Sequence, residues 1–417
     1  MLGSERLEVL AGELCRLGRR AGLDAVGVCD AKPFREAFVA LNQGRAKGWD
    51  AGMQFTYRNP GRSTDPARAL PGARAMVVGA CGYDRREPTP VAARRPTGVV
   101  ARYAREDHYK ILRAALEQVA DLLRQRGWRA AVLVDDNALV DRAAAVRAGL
   151  GWYGKNTNVL IPGAGSWFVI GSVVTDAPVT TALGDTLRFG RRNEPFSAQF
   201  DAQKANRSTN SAAATSLTLT PGPVPDGCGT CRRCIDACPT GALTHDEPGH
   251  LDARKCLAWL VEAPGVFPRQ YRIPLHDRIY GCDDCQEVCP VNKLAARRQP
   301  PPAAADDAQT TVDVLAMLAA KDGDLLDSLG RWYIPSRDPK YLRRNALIVL
   351  GNTGDPTAPE VRTAVEAAIT RRDPIIRAHA VWAAARLGYR DLIPDEDEDP
   401  QVQEEIEAAT YVPATTR

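Results

Sequence analysis

Four cysteines and a proline fall within the stretch CGTCRRCIDACP, residues 228–239. Cys228, Cys231, Cys234 and Cys238, followed by Pro239, match C-x2-C-x2-C-x3-C-P. In two-cluster ferredoxins this spacing lets three thiolates wrap one four-iron cube while the fourth crosses to the other. A second group, Cys282, Cys285, Cys289 and Pro290, lacks the first cysteine of the pattern, and Ile279 stands in its place. Cys256, upstream of Cys282, is the natural replacement. Two [4Fe-4S] clusters then have complete ligand sets: Cys228, Cys231, Cys234 and Cys289 for the first, Cys238, Cys256, Cys282 and Cys285 for the second. Structural zinc also uses Cys-x2-Cys pairs, but successive x2 spacings closed by x3-Cys-Pro, and their repetition, favour iron–sulfur. The other cysteines, Cys15, Cys29 and Cys81, lie in helix- and strand-like runs and read as buried inert thiols.

A second candidate for chemistry lies in VLVDDNALVDRAAAVRAGLGWYGKN (132–156), which runs strand, Asp135-Asp136-Asn137, helix, glycine-rich turn. In layered α/β folds ligands gather at the carboxyl ends of strands, which puts Asp135 at a plausible mouth. The same carboxylates could equally cap the following helix. No G-x-G-x-x-G or Walker motif occurs, so nicotinamide and nucleoside-triphosphate chemistry lack a signature.

The elements that must position these residues divide the chain of 417 residues, too long for one core, into several units. Residues 1–184 alternate helix and strand, as an α/β layer domain would: the helical period of SERLEVLAGELCRLGRRAG and HYKILRAALEQVADLLRQRGW is interleaved with the strand-like DAVGVCD, ARAMVVGACGY, RAAVLVDD and SWFVIGSVVTD. Residues 185–222 are rich in Ser, Thr, Ala, Asn and Gln without period and read as a disordered insertion. The cysteine-rich unit spans 223–297 as a ferredoxin-like domain. Within 311–392, YLRRNALIVLGNTGD and IIRAHAVWAAARLGY repeat at an offset of 34 residues, the pattern of all-α HEAT-like units. Residues 393–417 read as an acidic disordered tail. The fold class expected is therefore α+β multidomain.

Apolar (44%) and charged (25%) fractions exclude a disordered chain. No apolar run is long enough for a membrane span and the charged N-terminus is not a secretory signal, so the expected place is the cytoplasm. Eleven cysteines there argue for metal or redox chemistry before disulfides. Setting aside the eight acidic residues of DEDEDPQVQEEIE, the net charge of +3 becomes about +11 for the rest, compatible with a polyanionic partner.

The segments GMQFTYRNPGRSTDPARALPGA, VDDNALVDRAAAVRAGLGWYGKNTNVLI and GSWFVIGSVVTD, both cysteine groups and YLRRNALIVLGNTGD together resemble the epoxyqueuosine reductases, from the N-terminus to about residue 390. That resemblance implies reduction of an epoxide on a modified guanosine at the tRNA wobble position to queuosine, the last step of its biosynthesis. It also implies a cobalamin held in the first domain and supplied with electrons through the two clusters. Asp135 matches the family's proton donor. Arg58, Tyr103, Asn156, Val159, Ile170 and Asp283, together with Asp135, match its cobalamin contacts. The implied partners are a tRNA with a GUN anticodon carrying epoxyqueuosine and an external one-electron reductant, with no membrane and a monomeric chain. The family run R-Y-A-x-G-x-D-Y-H is here RYAREDHYK, which leaves the roles of His108 and Tyr109 open.

Arg337, Lys340, Arg343, Arg344, Arg372 and Arg377, with Trp332 and Tyr333 nearby, suit phosphate contacts and stacking on a splayed base. The same arginines could instead brace neighbouring repeats. Two other functions fit the cysteines: a related reductase of a small molecule such as an organohalide, and a non-enzymatic iron–sulfur scaffold.

Overall fold

The computed structural model describes residues 4–86, 95–179 and 227–410. The expected insertion at 185–222 lies outside them, as do residues 411–417 of the expected tail.

The first unit is built on a four-stranded sheet in the order β1 (Ala25–Asp30), β2 (Ala75–Gly82), β7 (Phe168–Thr175), β4 (Ala130–Val134), with β5 (Trp152–Tyr153) and β6 (Val159–Leu160) paired beside it as a separate ribbon. The central β2 and β7 are almost continuously apolar because both their faces are covered. On one face, Leu14 of helix Ser4–Arg20 and Leu112, Leu116 and Val119 of helix His108–Gln125 pack on Val26, Val77 and Val173. On the other, Ala143, Ala144 and Val146 of helix Asp141–Arg147 pack on Met76, Val78 and Val174. Asp107 starts its helix by accepting from the Lys110 amide at 2.9 Å.

Every pairing in this sheet is antiparallel, with helices on both faces, as the expected layer of helices and strands allows. The consequence for Asp135 is specific. Val134 pairs with Gly171, so Asp135 leaves the sheet opposite Ile170, at the end where β2 runs out into Tyr83.

The second sheet joins three distant segments: β3 (Thr97–Val100) lies parallel to β8 (Arg278–Tyr280) and antiparallel to β9 (Thr311–Asp313). Strand β3 therefore pairs outside the first sheet, while Tyr103 just after it packs against both cores. Val100 and Ala104 belong to one apolar core with Leu257, Phe267 and Ile279 of the cysteine-rich unit and Leu347 and Trp382 of the C-terminal helices. Helices Lys340–Thr353, Pro359–Ile369 and Pro374–Leu387 stack on that unit. Asp373 caps the last of them at its N-terminus, and Gly388, at φ 86°, ends it.

The acidic end is not a disordered tail up to residue 410. Pro400–Thr410 forms a helix whose Val402, Ile406 and Ala409 cover Ala378 and Val381. Its Glu405 is buried and bonds Arg269 at 2.5 Å and Arg272 at 2.6 Å. Charge density concealed an i, i+4 apolar pair that needs a helix to reach the core. Among the described residues no helix is long and apolar enough to cross a membrane.

Candidate active site

The thiols fall into two groups that sense one another. Cys234 is raised to about 11, by burial first and then by Cys228, Cys289 and Cys231. Cys285 is raised well above the usual thiol range, by burial first and then by Cys282, Cys256, Cys234 and Cys238. None of the eight is in a disulfide. Among the described residues no three His, Cys, Asp or Glu converge as ligands of one ion would; the coupling between thiols is electrostatic. Eight gathered thiols of this pattern fit two iron–sulfur clusters by the chemistry of the donor set.

The turn after β4's helix ties both thiol loops to the first sheet. Lys155 Nζ donates to the carbonyls of Gly229 at 2.6 Å and Cys231 at 3.0 Å. Asn156, buried, donates to the Cys285 carbonyl at 3.4 Å. Ser166, at the start of the run into β7, and Asn292 of helix Pro290–Arg298 share a buried network with Gln286 and Tyr83. The cysteine-rich unit is thus docked on the end of the sheet that carries Asp135.

Asp135 sits at the mouth of the resulting cleft, at φ 52°, in the left-handed region that a non-glycine residue rarely adopts. It is accessible to solvent, yet the protein around its carboxyl desolvates it enough to raise its pKa. Arg113, which donates to the Val134 carbonyl at 2.8 Å, opposes that rise. Asp136, not Asp135, makes the local cap, accepting from the Ala138 amide at 2.8 Å. Tyr109 and Asp141 both feel the charge of Asp135. Tyr109 is half-buried, whereas His108 is buried beside Tyr83, with both ring nitrogens unpartnered and its pKa lowered to about 4, chiefly by burial.

The residues expected to contact cobalamin differ in exposure. Val159 and Asn156 are buried, Ile170 and Tyr103 are half-buried, and Arg58 is exposed at the end of helix Phe55–Arg58. Asp283 is buried between Cys282 and Cys285. Its Oδ2 accepts from the Arg102 amide at 2.7 Å, while its Oδ1 is buried without a partner. An orphaned buried acceptor is the condition of an atom whose donor comes from a ligand, and with the apolar side chains nearby it fits an amide-edged cofactor such as a corrin. Tyr83 is raised by burial first and then by Asp283 and Cys285. It also adds to the rise of Tyr109, after burial, Asp135 and Asp141.

The arginines of the C-terminal helices divide sharply. Arg344 is wholly buried and donates to the carbonyls of Leu260, Val261, Ala263 and Gly265, so its assignment to tRNA is corrected. Arg343 is buried on the Ala320 carbonyl and Asp322. Arg377 is held by Asp397 and the carbonyls of Arg371 and Arg372. Lys340 pairs with Asp338 and Asp373, and Arg337 donates to the Gly330 carbonyl. Arg372 is exposed, as is Tyr333, whereas Trp332 is buried in a stack on Tyr280.

Sequence reasoning missed Glu262, Asp141, Arg142 and Lys155. Arg142 opposes the rise of Tyr57, Tyr109, Tyr153 and Asp141, a cation that acts on four groups at once. The DR and GKN of the quoted 132–156 run held the signal for three of these. Glu262 had none, because its partners come from three separate segments.

Comparison with known proteins agrees with this geometry. Residues 227–292 match the 4Fe-4S double cluster binding domain, and residues 63–136 match the domain described as Epoxyqueuosine reductase QueG, DUF1730. Epoxyqueuosine reductase from Staphylococcus aureus is 30% identical over 402 residues, covering 92% of this chain and 92% of that protein. The solved structure of the Bacillus subtilis epoxyqueuosine reductase, with its catalytic aspartate loop swung out of the active site, superimposes with a TM-score of 0.77 at 26% identity, over 97% of this chain and 98% of that one. An epoxyqueuosine reductase solved with an epoxyqueuosine-modified tRNA-Tyr stem loop gives 0.76 at 26% identity over the same shares. With a double-cluster domain docked on an acid-bearing sheet, and that likeness running nearly end to end, the chain belongs to the epoxyqueuosine reductase family.

Proposed function

We propose that this chain reduces epoxyqueuosine to queuosine in the wobble position of tRNA, with two [4Fe-4S] clusters, a cobalamin, and Asp135 as the proton donor. The observation that carries the reading is that the cysteine-rich unit docks on the Asp135 end of the sheet, through Lys155 and Asn156 on the thiol loops and Ser166 on Asn292. The reaction takes an epoxide, two electrons and two protons to an alkene and water. Cobalamin, when bound, supplies a metal that accepts electrons singly and passes a pair to carbon. Cys228, Cys231, Cys234 and Cys289 would hold one cluster, and Cys238, Cys256, Cys282 and Cys285 the other. Asn156, Val159, Ile170, Tyr103, Arg58 and Asp283 would hold the corrin.

Asp135 does what an acid must do here. An alkoxide is a poor leaving group, so the ring oxygen needs a proton as its bond to carbon opens. Partial desolvation keeps that proton on the carboxyl to higher pH than in water. The left-handed backbone holds the carboxyl off the end of β4. A tRNA partner is supported by the stem-loop complex of the relative and by exposed Arg372 and Tyr333 on the helical end.

The test is reductive turnover of epoxyqueuosine-containing tRNA by protein reconstituted anaerobically with iron, sulfide and cobalamin, with nucleosides read by mass spectrometry. Queuosine formed only with cobalamin present establishes the reading. Absence of product from protein that holds both clusters and cobalamin points to a small-molecule reductase. Asp135→Asn should lower turnover by about 100-fold or more with iron and cobalamin retained; surviving activity would assign the acid elsewhere.

A further inference from the structure

The proposed reaction takes place on one base, and that base reaches an acid inside the protein only if the nucleotides beside it are held where they enter. Resting on the function proposed above, the question is which surface holds them. The loop that carries Asp135 is buttressed by residues 55–63. The buried Ser63 hydroxyl donates to the Asn137 carbonyl at 2.7 Å, two residues beyond Asp135, and lies 3.1 Å from the Thr56 carbonyl. The short helix Phe55–Arg58 is therefore held against the loop of the acid. Its inward side is set by Tyr57, which packs closely on helix Arg35–Ala46: a Cβ added at the buried Gly44 would meet the Tyr57 ring at 3.3 Å. With Tyr57 turned in, Phe55 and Arg58, one turn apart, share an open side.

Phe55 is 39% exposed, a large ring left in water beside the catalytic loop. A single exposed apolar side chain is ordinary, but this one has company. Three of the eight large apolar side chains exposed among the described residues, Phe38, Val39 and Phe55, fall on these two helices. Exposed Arg35, Arg45, Arg58 and Arg62 are interleaved with them in sequence, and Glu36 is the one acid on the longer helix. Aromatic rings set among arginines suit single-stranded nucleic acid, because the ring stacks on a base while the cations meet the phosphates. An anticodon loop presents such bases.

We infer that Phe55 is a stacking platform for a nucleobase next to the wobble position, on a surface formed by helices Arg35–Ala46 and Phe55–Arg58 that receives the anticodon loop. Every base has a π face, so the platform holds the loop without reading its sequence. Arg58, assigned above to the corrin, lies on the same side, so the ring is one helical turn from a residue of the cofactor site. Phe55 thereby fixes the neighbouring nucleotide, and the modified base is presented to Asp135.

The experiment uses the full chain reconstituted with iron, sulfide and cobalamin, and two tRNA stem loops carrying 2-aminopurine on the 5′ or the 3′ side of the wobble nucleotide. Wild type should quench the fluorescence of one of them on binding, as stacking does. Phe55→Ala should weaken stem-loop binding about 10-fold and lose that quenching. KM for tRNA should rise by a similar factor with kcat retained, the pattern of a contact made equally before and during the reaction. Iron, cobalamin and the slope of log affinity against log salt should not change, since no phosphate contact is lost. Phe55→Trp should keep affinity and quenching. Phe55→Leu, which stays apolar without a π face, should behave as Phe55→Ala does, and it decides the matter if Phe55→Ala fails to fold. Wild-type affinity and quenching in Phe55→Leu overturn the platform. So does quenching of neither probe by a wild type that binds both, or loss of cobalamin from Phe55→Leu, which would make the ring a wall of the cofactor site. A wild type that does not bind the stem loop removes the function on which the platform rests, whereas a tight-binding wild type beside an unaltered Phe55→Leu removes the platform alone.

Discussion

The cysteine-rich unit and the C-terminal helices each carry a run of one residue type suited to a ligand, thiols in the first and arginines in the second. The fold treats the two runs in opposite ways. The thiols, unpaired by disulfides, are brought near enough to act on one another electrostatically, and burial raises Cys234 and Cys285. Most of the arginines are dispersed and occupied within the protein, Arg344 by four carbonyls, Arg343 by Asp322 and Arg377 by Asp397. Like groups driven together against their own electrostatics await a ligand that rewards the crowding. Like groups spread among internal acceptors have already found their partners.

The largest effect that sharpens this contrast is at Cys256. Cys256→Ala should take the iron of anaerobically reconstituted protein from about eight atoms toward four, because a cubane needs each of its thiolates. Unchanged iron would remove Cys256 from the set and make its crowding with Cys238 incidental. Cys256 is also where spacing alone had to be stretched, since Ile279 occupies the position the motif assigns to a cysteine. That isoleucine is wholly buried in the core shared with the C-terminal helices, so packing at β8 claims the site.

Legibility followed the same division. Metal-ligand spacing is a local property, and so is the helix–strand alternation that placed Asp135 at a strand end. Strand direction is not local, and the sheet turned out antiparallel. Glu262 was invisible for the same reason, since Tyr103 reaches it only once β3 and β8 have paired. The acidic end misled because counting charge overlooks Val402 and Ile406, which one helical turn brings to a single face.

Arg344 offers the next test. Burial without a carboxylate partner pulls it down to about 9, and its charge is sustained by the carbonyls of the loop that carries Glu262. Arg344→Ala leaves those carbonyls buried without a donor and should cost about 3 kcal/mol or more in a denaturation measurement. The salt dependence of tRNA binding by the folded fraction should not change. A cost under about 1 kcal/mol would mean that the loop holds itself, and the contrast with the thiols would lose its strongest member.

Arg372 should show the smallest effect and the most discriminating one. It is exposed and lends only its carbonyl, to Arg377. If the helical end meets the tRNA backbone, Arg372→Ala should weaken binding a few-fold without altering stability. It should also reduce the slope of log affinity against log salt by about 0.7 to 0.9, the release of one counterion. Arg377→Ala, which breaks an internal ion pair with Asp397, should instead lower stability by about 1 kcal/mol and leave the slope alone. An unchanged slope in Arg372→Ala, beside a changed one in Arg377→Ala, would invert the assignment. The internally bonded arginine would then have to leave its carboxylate to bind, and satisfaction inside the fold would no longer separate the bracing arginines from the binding ones.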